Sequence, residues 1–117
     1  MSASPVPDAI DVDHAAASAF GASDVVLLDV RENDEWMAGH APTARHLPMS
    51  ELPARVDELP RHTRLVGMCR SGNRSSQVTA WLRRQGYHAV NMTGGMQLWA
   101  SHGHPVIDDT GHPGRVI

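Results

Sequence analysis

The chain alternates short, unbroken apolar runs with stretches in which apolar residues recur every three or four positions. Val25-Val26-Leu27-Leu28 is the clearest run, aliphatic at every position. A strand that is apolar on both faces belongs inside a parallel sheet, with helices covering either side. Leu65-Val66-Gly67-Met68 is the second such run, and it leads directly into Cys69. Weaker strand signals fall at residues 9–12, 44–47 and 88–92.

Helical patterns fill the intervals. A helix capped by Asp13 is expected through Phe20, ending at Gly21. A short helix starting at Asn33 or Asp34 holds Trp36 and stops near Gly39. Pro42, Pro48, Pro53 and Pro60 bound short segments, among them a helical turn at residues 50–56. From Ser75 onward, Val78, Trp81 and Leu82 are spaced for one buried face, Arg83 and Arg84 point to solvent, and Gly86 takes the C-cap position. A last helix covers residues 95–102. Trp36, Trp81 and Trp99 each fall in a helical segment and are expected to face the sheet as core.

Strands alternating with helices imply right-handed crossovers and a parallel sheet. The expected fold is therefore a three-layer α/β domain, with a central, mainly parallel sheet and helices on both faces. A chain of 117 residues accommodates one such domain. It is read as a flexible N-terminal arm at 1–8, the domain at 9–107 and an irregular C-terminal extension at 108–117.

Composition narrows the function. With 41% hydrophobic and 20% charged residues, the chain reads as globular. No stretch approaches the roughly 20 consecutive apolar residues of a membrane span. Residues 1–13 lack the basic and apolar regions of a secretory signal, so a cytoplasmic location and no membrane partner are expected. Net charge is −3 and all ten basic residues are arginine, dispersed among few aromatics, which argues against a nucleic-acid partner. A single cysteine excludes an internal disulfide. Any adduct formed on it must be discharged to an external thiol or acceptor protein.

The chemistry concentrates at Cys69-Arg70-Ser71-Gly72-Asn73-Arg74-Ser75, between a buried strand and a helix. Ligands of open α/β sheets bind beyond the carboxyl ends of the strands. A loop curling into a helix points several backbone N–H groups into its centre and forms an anion-binding nest. Gly72 permits the backbone angles of such a curl. A helix start and two arginines beside Cys69 favour the nucleophilic thiolate. The alternative is a structural cysteine buried before an ordinary strand-to-helix turn; two arginines, a glycine and a helix start within seven residues weigh against it.

Three segments together resemble the rhodanese family. Asp29-Val30-Arg31-Glu32, with Glu35-Trp36 and Gly39-His40, is similar to its first signature. Cys69 to Ser75 resembles its active-site loop, and Gly94-Gly95-Met96-Gln97-Leu98-Trp99 with Gly103-His104-Pro105-Val106 its closing segment. One departure is Thr43, where the family commonly carries glycine in the turn after Gly-His. The resemblance implies that Cys69 is the nucleophile, taking sulfur from a small anionic donor such as thiosulfate as a persulfide. Arg70, Ser71, Gly72, Asn73, Arg74 and Ser75 would bind the donor and the persulfide, with Asp29 and Arg31 supporting the loop from behind. No cofactor is implied. A carrier or interaction module that does not turn over is the alternative from another class. Cysteine phosphatase or arsenate reductase activity is a lesser one, because only four residues separate Cys69 from Arg74, a tight loop for a tetrahedral oxyanion.

The remaining candidates have plainer readings. Glu32 and Glu35 suit a helix start or the surface. His40 reads as a hydrogen-bonded turn residue. Gly94 and Gly95 are read as allowing backbone to approach the active-site region closely. His102, His104 and His112 lack an accompanying cysteine or carboxylate at ligand spacing, so no metal is expected there.

Overall fold

Successive residues of a strand point to opposite faces of a sheet, and that parity builds two cores here. The computed structural model describes residues 8–21 and 25–117; the arm expected at 1–8 lies outside them except for Asp8. The elements are β1 (Ala9–Ile10), α1 (Val12–Gly21), β2 (Val25–Asp29), α2 (Asn33–Ala38), β3 (Arg45–His46), α3 (Leu52–Arg55), β4 (Arg64–Met68), α4 (Asn73–Arg84), β5 (Ala89–Met92) and α5 (Gly95–Ser101). A single 3-10 turn, Val56–Glu58, continues α3. All five strands are parallel, in the order β1-β5-β4-β2-β3.

Leu27, Val66, Met68, Val90 and Met92 pack with Val12, Ala15 and Ala16 of α1 and with Met96 and Trp99 of α5. The alternate positions Leu28, Leu65 and Ala89 pack on the other face with Leu52, Val78 and Leu82 of α3 and α4. This is the expected three-layer arrangement. Gly67 falls on the α4 face, where an added Cβ would lie 2.4 Å from Thr79 Cγ2. A bare strand position thus lets α4 sit close to β4.

Several local expectations are corrected. Asp11, not Asp13, caps α1: its carboxylate accepts the His14 N–H at 2.7 Å, and its carbonyl accepts Ala15 N–H at 3.0 Å. Asp13 is thereby left in the first turn, exposed and free to face another element. Of the tryptophans, only Trp99 is core. Trp81 is half-buried, and Trp36 lies outside both apolar clusters. The Trp36 ring is stacked between two imidazoles instead, 3.6 Å from His40 and 4.7 Å from His46 between ring centres. Thr43 fits its turn without a left-handed angle, since no described residue other than glycine has positive φ. The Ala44 N–H closes that turn on Ala41 O at 3.0 Å.

Residues 105–117 contain no helix or extended strand, yet they fold back along α2. His40 and Ile107 exchange backbone bonds of 2.8 and 2.9 Å, and Arg115 N–H donates to Ala38 O at 3.0 Å. Val106 and Val116 pack against the core beneath α1 and α5.

Candidate active site

Strand order fixes where the site falls. The chain leaves β2 toward β3 on one side and leaves β4 toward β5 on the other. A crevice opens at such a switch point beyond the strands' carboxyl ends. Asp29 and Met68 are paired at those ends, and Cys69 follows immediately. By parity Cys69 points to the α4 face, as do Gly67 and Leu65, and it is only 1% exposed.

The loop then closes around the sulfur. Gly72, at φ 98°, is the N-cap of α4 and brings its N–H within 3.1 Å of Cys69 Sγ. Ser75 N–H reaches Sγ at 3.4 Å and the Ser75 hydroxyl at 3.3 Å. Burial pushes the Cys69 thiol up. The Ser75 hydroxyl and the N–H groups of Ser75, Gly72 and Ser71 together outweigh it, so the thiol ionises below its ordinary range. Position at the start of a helix acts in the same direction.

α5 supports the loop from behind. Gly95 sits at φ 63°, and an added Cβ would lie 2.5 Å from Arg70 O. The glycine lets Met96 N–H donate to Cys69 O at 2.8 Å and Gln97 N–H to Arg70 O at 3.0 Å. That close approach is the one expected from the Gly94-Gly95 pair. A shallow open depression of about 400 Å³, lined by Ser71, Gly94, Gln97, Leu98 and Ser101, adjoins the loop.

Ser75 is buried with the sulfur, whereas Arg70, Ser71 and Asn73 are exposed at the rim. Arg70 Nε donates to Ile117 O at 3.1 Å. Arg74 is half-exposed, and its guanidinium is gripped by both carboxylate oxygens of Glu35 at 2.7 and 2.8 Å. Glu35 is therefore not a plain surface charge. It also accepts the Glu32 N–H at 3.0 Å, so one carboxylate caps α2 and ties it to α4. Arg74 and a backbone bond from Glu32 hold the Glu35 carboxyl below the usual carboxylate range, against the opposing effect of burial.

Asp29 and Arg31 are completely buried. Arg31 Nε and Nη2 meet the Asp29 carboxylate at 2.8–3.1 Å, and Nη2 also donates to Gly39 O at 2.7 Å. Arg31 Nη1 has no hydrogen-bond partner. The pair braces the segment entering α2 and does not bond the sulfur. His40 is the turn residue expected, its Nδ1 bonded to Trp36 O at 2.8 Å.

One participant escaped the sequence reading. Asn91, on the α4 face of β5, donates Nδ2–H to Gly72 O at 3.1 Å and accepts the Ser75 hydroxyl at Oδ1. The available signal was a polar residue inside an otherwise apolar strand, Ala89–Met92.

A cysteine held in a backbone nest between a central strand and a helix, at the switch point of a parallel sheet, defines an α/β domain built to stabilise sulfur-centred negative charge. Residues 13–102 match the rhodanese-like domain family, and the chain belongs to it. It is similar to a sulfurtransferase of Allochromatium vinosum, 44% identical over 89 residues that span 75% of this chain and 83% of the relative. The rhodanese-related protein of Thermoplasma volcanium is 29% identical and superposes with a TM-score of 0.79 over 85% of this chain and 96% of that one. A rhodanese-like domain protein from Staphylococcus aureus, also 29% identical, superposes at 0.74 over 79% and 90%. Among the described residues no helix is long and apolar enough to cross a membrane.

Proposed function

We propose that this protein is a sulfurtransferase that carries sulfane sulfur on Cys69, taking it from thiosulfate or a persulfide and delivering it to an external thiol, acceptor protein or cyanide. The observation that carries the reading is the sulfur cradle: two backbone N–H groups and a hydroxyl converge on Sγ at 3.1–3.4 Å. The relative from Allochromatium vinosum, named as a sulfurtransferase, supports the same class.

The Cys69 thiolate attacks the donor's terminal sulfur, forming a new S–S bond. With thiosulfate, the bond to the central sulfur breaks and sulfite leaves with its electron pair. The product is a Cys69 persulfide, whose outer sulfur carries the negative charge inside the nest. An acceptor nucleophile then attacks that outer sulfur, and the Cys69 thiolate leaves with the bonding pair. Discharge is intermolecular because the chain has no second cysteine. The sulfur's near-complete burial favours a slender terminal sulfur over a bulky ester. Arg70, exposed at the rim, is the cation placed to meet the donor's anionic oxygens. Arg74, held by Glu35, orders the loop more than it binds the donor.

Intact mass spectrometry tests the reading. Thiosulfate or glutathione persulfide adds one sulfur atom to the wild-type chain, cyanide removes it as thiocyanate, and Cys69→Ser shows neither change. A wild-type chain that takes up sulfur from neither donor would exclude sulfur transfer and leave a non-turnover binding module.

A further inference from the structure

Asp13, displaced from its expected role as a helix cap, faces the far end of α5. Its Oδ1 lies 3.0 Å from His102 Nδ1 and 2.7 Å from His104 Nε2. The three donor atoms all lie within 4.8 Å of one another. The carboxylate absent from the local histidine pattern thus comes from 89 positions earlier in the chain. We propose that Asp13, His102 and His104 form a binding site for a first-row divalent transition ion, of the zinc or nickel type.

The geometry and donor chemistry fit that class. Metal–ligand bonds of about 2.1 Å put neighbouring donor atoms about 3.0–3.4 Å apart, so a small adjustment of the exposed Asp13 and His102 toward the partly buried His104 admits an ion. Two imidazoles and a carboxylate suit zinc, nickel and copper better than calcium or magnesium, which take oxygen ligands. The ligands stand on ordered backbone. His102 N–H donates to Leu98 O at 3.0 Å and His104 N–H to Trp99 O at 3.2 Å. The His104 ring lies 4.9 Å from that of the buried Trp99, whose Nε1–H is bonded to Pro105 O at 2.9 Å. Three protein ligands leave at least one position open to water or an outside donor.

The site is separate from the sulfur chemistry, yet it shares an element with it. α5 begins at the bonds supporting Cys69 and Arg70 and ends at Ser101, with His102 as its C-cap; its seven residues span about 10 Å. An ion bridging Asp13 to this end joins α1 to α5 and stabilises the folded chain by mass action.

Zinc titration by calorimetry, done in Cys69→Ser so that the thiolate cannot contribute, is the test. One equivalent binds, the melting temperature rises with zinc, and His112→Ala binds equally well. His104→Ala and Asp13→Asn each weaken binding at least about tenfold, while keeping the parent circular dichroism without zinc. Absence of binding overturns the proposal. So does binding unchanged in both ligand variants, or reduced as much by His112→Ala as by His104→Ala.

Discussion

The Ser75 hydroxyl has one proton and two acceptors. It lies 3.3 Å from Cys69 Sγ and also within hydrogen-bond reach of Asn91 Oδ1, and the Asn91 amide is oriented by its bond to Gly72 O. When the sulfur is charged, donation to it is the stronger choice, since hydrogen bonds to ions exceed those between neutral groups. Ser75→Ala removes that donor and leaves burial of the thiolate less opposed. The thiol's ionisation therefore moves upward, and the pH profile of Cys69 alkylation shifts to higher pH. Because the thiolate is the nucleophile, sulfur uptake near neutrality slows in parallel. An unshifted alkylation profile would mean that the backbone N–H groups alone set the charge state. At this scale the sequence was informative about Cys69, Gly72 and Gly95, whose local neighbours reveal their role. It was silent on Asn91, because a bond between β5 and the start of α4 depends on strand order.

Glu35 shows the same limit one scale up. Its place in the first turn of α2 is legible as helix-start chemistry, and the structure confirms that part through the Glu32 N–H bond. Its partner Arg74 lies 39 residues away on α4, a distance that no helical spacing encodes. Asp13 was misread for a related reason: Asp11 offers the same cap chemistry two residues earlier, and one hydrogen bond decides between them. Glu35→Gln keeps the side chain's shape but loses the bidentate ion pair between α2 and α4. The arginine is half-exposed, so the expected loss at neutral pH is no more than about 1 kcal/mol. Its pH dependence is the sharper readout. The folded Glu35 carboxyl is depressed, so its stabilisation is full above the ordinary carboxylate range and fades as pH falls through the folded value. Wild type and Glu35→Gln should thus differ in melting temperature at pH 7 and converge in acid. A gap that persists at low pH would assign the loss to packing instead.

Across the whole molecule, two apolar runs determined most of the architecture. The β2 and β4 runs are apolar at successive positions, so both faces needed cover, and α1 with α5 opposite α3 with α4 supplies it. The return path of residues 105–117 along α2 was not legible, since it rests on backbone hydrogen bonds such as His40–Ile107 and on the bare Cα atoms of Gly39 and Gly114, which the opposing backbone approaches too closely for a Cβ. The Asp29–Arg31 pair lies where these parts meet. Asp29 ends β2, its O accepts Leu47 N–H at 3.0 Å beside β3, and Arg31 reaches Gly39 O at the end of α2. Both side chains are excluded from water, so each charge is costly to bury without the other. Asp29→Asn leaves Arg31 buried with its charge uncompensated, and the expected cost is about 3–5 kcal/mol. That is a large share of the roughly 5–15 kcal/mol that holds a domain together. Asp29→Leu combined with Arg31→Met removes both charges and should cost less than the single change, because the desolvation penalty goes with them. Urea unfolding of the three proteins decides the matter. A single variant more stable than the double would show that bonds to Gly39 O and the neighbouring strands, not the ion pair, hold this end of the sheet.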